Sequence, residues 1–89
     1  MKNLQNNIDE NIVISFNNQK LIPDLFGQFD KNLRRIEYLL NVNLHGRGKN
    51  VSISGEKIHL AKNVLNDLYE QLKKGFDIGF EEVDASIRM

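Results

Sequence analysis

A glycine turn followed by basic residues is the part of this sequence whose residue types could bind a ligand. Gly27 ends a short apolar segment, and the basic residues begin four positions later at Lys31. Glycine lets a phosphate approach backbone N–H groups, and the start of a following helix favours an anion. We therefore predict a phosphate-binding turn with candidate contacts at Gly27, Gln28, Phe29, Lys31, Asn32, Arg34 and Arg35.

Two residues of the turn each have a second interpretation. Asp30 adds a negative charge where a phosphate would approach most closely, but it could instead accept hydrogen bonds from the next helical turn as an N-cap. We favour this capping role, in which Asp30 occupies the donors that a phosphate would use. Phe29 could stack on a nucleic-acid base or pack back onto the core, and we favour the core.

A second basic segment lies in residues 46–50, between two short alternating runs that predict a β-hairpin. It adds Arg47 and Lys49 to the candidate basic surface, and any phosphate contacts made there would be sensitive to salt. An ATP-binding P-loop needs Gly, four residues and then Gly-Lys-Ser/Thr before a helix. Residues 46–50 have neither that spacing nor a following helix, so we interpret them as a tight turn.

Composition restricts the function classes. The 89 residues allow one domain, and 12 basic and 12 acidic residues give zero formal net charge. Any nucleic-acid binding must therefore come from a local patch. The chain has no cysteine, and His45 and His59 are isolated, so we predict no metal site, no cofactor and no catalysis in this chain.

Hydropathy gives the expected location. Residues 1–10 are polar and rich in asparagine, without the apolar core of a signal peptide. No apolar run approaches the roughly 20 residues of a membrane-spanning helix. We expect a cytoplasmic protein without membrane contact.

Residue patterning predicts the elements that position the turn. Strands are expected at residues 12–16, 42–45 and 51–54, and helices at residues 20–26, 31–40, 56–74 and 80–88. The expected fold is an α+β two-layer sandwich with a three-stranded antiparallel sheet packed on helices. We divide the chain into a leader (1–11), a central domain (12–75) and a C-terminal helix that begins a linker (76–89).

This order resembles a type I KH domain, with Gly27 at the position of the first glycine of its Gly-x-x-Gly turn and Asp30 at the second. More narrowly, the sequence resembles the N-terminal region of bacterial PhoH-like proteins over residues 12–89. The segments that carry this resemblance are Phe16-Asn17-Asn18 with Leu21, Leu25 to Leu33, Ile36-Glu37, Arg47 to Val51, Val64 to Tyr69 and Glu82 to Met89.

The resemblance implies a longer protein with a P-loop ATPase domain, and therefore ATP, downstream of this region. It also implies a role tied to RNA metabolism and phosphate starvation. Two functions stay open. The first is binding or positioning of single-stranded RNA through the degenerate Gly-x-x-Asp turn. The second is docking to the ATPase domain or to neighbouring subunits, which predicts an exposed apolar patch around Phe26, Phe29 and Phe80.

Overall fold

A computed structural model describes residues 11–89 of the chain. The leader predicted over residues 1–11 lies outside the described residues except for Asn11, which begins the first strand. The elements are β1 (Asn11–Ser15), α1 (Ile22–Phe26), α2 (Lys31–Leu40), β2 (Val42–Arg47), β3 (Asn50–Gly55), α3 (Ile58–Lys73) and α4 (Phe80–Arg88). Short 3-10 turns at Gln19–Leu21 and Gln28–Asp30 precede α1 and α2.

The three strands form one antiparallel sheet in the order β1-β3-β2. β3 lies at the centre, where Ile53 pairs with Ile12 on one side and with Leu44 on the other. The helices cover one face of this sheet. The predicted KH-like α+β sandwich is therefore confirmed, including its type I element order and its short C-terminal helix.

Alternation along β2 shows which sheet face carries the core. Val42 and Leu44 are buried, whereas Asn43 and His45 are exposed on the opposite face. Gly46 continues the inward series, and only glycine fits there because a Cβ atom would lie 2.5 Å from Cε2 of Phe26. The close approach of α1 to β2 thus depends on Gly46.

The predicted helices match the structure closely. α2 has the expected bounds and ends at Asn41 in the left-handed conformation (φ 56°). Pro23 lies in the first turn of α1, where a missing N–H is tolerated. The loop of the hairpin is shorter than predicted. β2 and β3 are longer than expected, so that only Gly48 and Lys49 connect them.

The buried residues of α3 face the sheet and α1. The Tyr69 ring contacts the Phe16 ring in a tilted arrangement, with 4.8 Å between the ring centroids. The Tyr69 hydroxyl also accepts a hydrogen bond from the backbone N–H of Asn18 at 2.9 Å. These contacts tie the segment after β1 to α3. α4 packs on α2 and α3, with Val83 fully buried.

Candidate nucleic-acid interface

The turn between α1 and α2 has an unusual backbone. Gly27 ends α1 at φ 83° and ψ 161°, a region that is essentially restricted to glycine. Phe29 (φ 58°) and Asp30 (φ 60°) both adopt the left-handed conformation, which is unfavourable for residues with a side chain. The N–H of Asp30 donates to the carbonyl oxygen of Gly27 at 2.9 Å and closes the turn. The strained backbone stands at the position that the sequence analysis selected.

The capping role that we favoured for Asp30 is wrong. Asp30 occupies the residue before α2, but its carboxylate accepts no hydrogen bond from the helix. The physical reason is its backbone, since an N-cap residue usually has β-region dihedral angles that direct its side chain at the first turn. Asp30 instead has left-handed dihedral angles (φ 60°, ψ 27°). The carboxylate of Asp30 therefore does not occupy the first N–H groups of α2.

The core interpretation of Phe29 is also wrong. Its side chain is 91% exposed at the tip of the turn, whereas Phe26 is buried. An exposed aromatic ring on a strained turn is available for stacking. The apolar patch predicted around Phe26, Phe29 and Phe80 consequently lacks Phe26, and Phe76 is a further exposed phenylalanine.

Asn32 is structural and is not an available ligand contact. Its side chain is only 1% exposed. Its Nδ2 group donates to the carbonyl oxygens of Asp24 and Leu25 at 3.3 and 3.2 Å. These carbonyls belong to α1, so Asn32 fastens the end of α1 to the start of α2. These hydrogen bonds of Asn32 hold α1 and α2 together at the turn.

The two arginines of α2 are both engaged with acidic side chains. Arg34 pairs with Glu37 at 2.9 Å, one helical turn away. Arg35 makes two hydrogen bonds to the Asp84 carboxylate of α4, at 3.0 and 2.8 Å. The positive charge of each arginine is therefore partly balanced within the chain.

Lys31 differs from these arginines. It is exposed, and among residues 11–89 no carboxylate lies within ion-pair distance of its ammonium group. Its Nζ atom lies 5.7 Å from the ring centroid of Phe80, and the Arg35 guanidinium lies 5.0 Å from the same ring. These are cation–π distances. Lys31 is thus the candidate cation best placed to meet a phosphate at the turn.

The sequence analysis added Arg47 and Lys49 of the hairpin to the candidate basic surface, but the structure does not place Arg47 beside the turn. Arg47 lies in the outward series of β2 and lines the outer face of the sheet with Val13, His45 and Ser52. The helices and the turn are on the other face. Lys49 is exposed at the hairpin tip. The adjacent Gly48 borders a surface groove with Ile22 and Pro23 of α1.

A groove of about 230 Å³ lies beside the turn. Gly27, Gln28 and Lys31 line this groove together with Asp77 and Ile78, which follow α3. Asp24 also borders the groove, so its charged lining consists of two carboxylates and one lysine. The open space at the turn is therefore not strongly electropositive.

The sequence analysis did not select the acidic partners of the two arginines, Glu37 and Asp84, as candidate site residues. The spacing of Arg34 and Glu37 is a helical i, i+3 pair, a signal that could have identified their contact. Asp84 is 49 positions from Arg35. Their pairing depends on how α4 packs on α2, for which the local sequence holds no signal.

We expect the Arg35–Asp84 pair to make stability dependent on pH. The Arg35 hydrogen bonds, and then its charge, lower the pKa of Asp84 from its ordinary value of 3.8, and burial opposes this only partly. A lowered pKa stabilises the fold above the ordinary value, and this stabilisation is lost as the pH falls through the lowered pKa. The urea midpoint of the wild type should exceed that of Asp84→Asn at neutral pH, and the gap should narrow below about pH 4.

The control for this prediction is Glu81→Gln, which removes a carboxylate from the same helix. Glu81 makes no ion pair with any residue that the structure describes. Its midpoint should stay near that of the wild type at neutral pH. A gap between wild type and Asp84→Asn that stays constant from neutral to acid pH would contradict the assignment.

Within residues 11–89, no three His, Cys, Asp or Glu side chains converge as a metal site. No helix in that range is both long and apolar enough for a membrane crossing.

Comparisons with known proteins identify relatives. A PhoH-like protein of Bacillus subtilis is 37% identical over 79 residues, which are 81% of this chain and 25% of that protein. PhoH-like proteins of Mycobacterium leprae and Mycobacterium tuberculosis are 34% and 35% identical over 71 residues, which are 78% of this chain and 20% of each relative. No family model matches the chain. No solved structure matches it significantly.

The sheet order and the turn define a KH-like α+β module in which the second glycine position is Asp30. Over about four fifths of its length the chain is similar to PhoH-like proteins, as the resemblance of its sequence predicted. It spans a fifth to a quarter of the length of the curated relatives that it matches.

Proposed function

We propose that this chain is a single-stranded RNA-binding module that holds the sugar–phosphate backbone at the turn from Gly27 to Lys31. The observation that supports this most directly is at Asp30, whose carboxylate accepts no hydrogen bond from α2 and therefore does not compete with a phosphate there. The N–H of Lys31 itself donates to the carbonyl oxygen of Gln28. The positive end of a helix favours an anion. Lys31 adds a cation at the same place, and the exposed Phe29 ring offers a stacking surface.

In a longer PhoH-like protein, the bound strand would be presented to the rest of the chain. The resemblance implies a P-loop ATPase domain there, which would use ATP to act on the strand or on a partner that carries it. Under this proposal, the module itself binds no nucleotide cofactor and positions the RNA.

The test is fluorescence anisotropy of the purified chain with labelled single-stranded RNA at low and moderate salt. Lys31→Glu should weaken binding and reduce the slope of log affinity against log salt by about 1. Lys57→Glu is the matched control. Lys57 precedes α3, and Leu72, which borders the groove beside the turn, lies about 22 Å along the helix.

The outcomes separate clearly. Binding that weakens with salt and depends on Lys31 but not on Lys57 would support the proposal. Equal losses in both variants would indicate general charge attraction with no role for the turn. Absence of binding at low salt, where attraction between charges is least screened, would contradict RNA binding.

A second candidate is docking to another part of a longer PhoH-like protein or to a neighbouring subunit. The observation in its favour is the internal pairing of Arg34 and Arg35, together with the two carboxylates in the groove beside the turn. Phe29, Phe76 and Phe80 supply exposed aromatic area for such a contact. Association that tolerates salt, combined with no RNA binding, would favour this candidate.

A further inference from the structure

We propose that Arg34 and Glu37 close the edge of β2 to nucleic-acid bases, so that the module holds RNA by its backbone and without sequence preference. This inference rests on the proposed function, because it concerns the same bound strand. It deepens that function by specifying which part of the nucleotide the protein recognises.

Hydrogen bonds at Leu44 carry the inference. The backbone N–H of Leu44 donates to Oε2 of Glu37 at 2.7 Å. The carbonyl oxygen of Leu44 accepts from Nη2 of Arg34 at 3.4 Å. Arg34 and Glu37 are themselves joined at 2.9 Å. We call these two side chains, closed on Leu44, the Arg34–Glu37 clamp.

The clamp occupies a place where a ligand could otherwise bind. In the sheet of residues 11–89, β2 is an edge strand, and edge strands present unpaired N–H and C=O groups. A donor and an acceptor side by side are what a base needs for recognition through its hydrogen-bonding edge. At Leu44 both groups are already taken by α2.

The clamp also lies on the path from the turn. Helix α2 begins at the turn and carries both clamp residues, about 6 Å (Arg34) and about 10 Å (Glu37) along its axis from Asp30. A groove of about 260 Å³ is bordered by the clamp and by residues 43–45. A strand gripped at the turn and following α2 would therefore reach this groove with its next nucleotides.

The groove beside the clamp would not select one base over another. The clamp is a neutral pair, with the Arg34 side chain 51% exposed and the Glu37 side chain 22% exposed. It offers neither a free backbone donor at Leu44 nor a net positive charge. Recognition is left to the turn, whose backbone donors, cation and aromatic ring act on any nucleotide.

Glu37→Ala tests the inference directly, because it frees the Leu44 N–H and the Arg34 charge together. The matched control is Glu70→Ala, since Glu70 forms an i, i+3 pair with Lys73 on α3 at 3.0 Å. Both variants lose one carboxylate and one helical ion pair. Binding is measured by anisotropy with single-stranded homopolymers of uridine, cytidine and adenosine.

We expect the wild type and Glu70→Ala to bind the three homopolymers with similar affinities. Glu37→Ala should bind at least one of them about tenfold more tightly and discriminate against another, as a newly available hydrogen-bonding pair would allow. Amide hydrogen exchange at Leu44, followed by NMR, should become faster in Glu37→Ala and not in Glu70→Ala. If Glu37→Ala does not fold, Arg34→Ala is compared with Lys73→Ala instead. Arg34→Ala should then discriminate between the homopolymers more strongly than the wild type does, without a gain in affinity.

Failure of the inference differs from failure of the proposed function. A wild type that already prefers one homopolymer tenfold would overturn the inference alone. The same would follow if Glu37→Ala and Glu70→Ala had equal affinities and equal preferences. If the wild type binds no RNA at low salt, the proposed function fails and the inference fails with it.

Discussion

Replacing Gly27 with alanine is expected to lower the free energy of unfolding by about 3 kcal/mol or more, because backbone strain and steric overlap act together. At φ 83° and ψ 161° the residue is in a region that side chains avoid. A Cβ atom there would also lie 2.9 Å from Cγ of Lys31 and 3.0 Å from Cγ of Asn32. Asn32 is buried and hydrogen-bonded, so it cannot move aside freely.

Gly48→Ala separates these two contributions. Gly48 also has a positive φ of 59°, but a Cβ atom there would meet nothing within 4 Å. Its loss should therefore be limited to backbone strain, about 1 kcal/mol. Urea denaturation of both variants measures the difference. Equal losses at the two glycines would contradict the larger cost expected at Gly27.

Asn32→Ala is expected to destabilise the chain by about 2–3 kcal/mol, through lost hydrogen bonds and a small cavity. The change removes the Nδ2 donors and leaves the Asp24 and Leu25 carbonyls at the end of α1 without this partner. Part of the cost is offset, since Oδ1 of Asn32 has no partner among residues 11–89 and its removal relieves a buried unsatisfied acceptor. The net effect remains a loss, because two hydrogen bonds outweigh one orphaned atom.

Asn66→Ala provides the control for this prediction. Asn66 is exposed in the interior of α3, where alanine has a higher helix propensity than asparagine. Its unfolding midpoint in urea should be equal to or slightly above that of the wild type. If the two asparagine variants had equal midpoints, Asn32 would have no role in joining α1 to α2.

The helices and their order could be predicted because local periodicity determines them. Leu33, Ile36 and Leu40 repeat at helical spacing, and all three are buried in α2. The glycine stop at Gly27 and the left-handed end at Asn41 follow from residue type. Strand alternation likewise identified which face of the hairpin is buried.

The turn itself could be located but not described in detail. Asp30 is a favourable N-cap residue by type, yet the tight closure from Gly27 forces it and Phe29 into left-handed conformations. No residue pattern encodes that pair of dihedral angles. The pairing of Arg35 with Asp84 was equally inaccessible, since it arises only when α4 packs on α2. The errors at Asp30, Phe29 and Asn32 are therefore errors of tertiary context.

The central position of β3 in the sheet also determines the order in which the chain can fold. β2 and β3 are separated by two residues, so their hairpin closes with little loss of chain entropy. β1 joins only when Ser15 reaches Asn50, 35 positions away, and the loop thus closed contains α1, the turn and α2. Such a distant contact is slow to form. We therefore expect docking of β1 to be the late step, so that substitutions at the turn mainly accelerate unfolding, whereas substitutions that weaken the hairpin slow refolding.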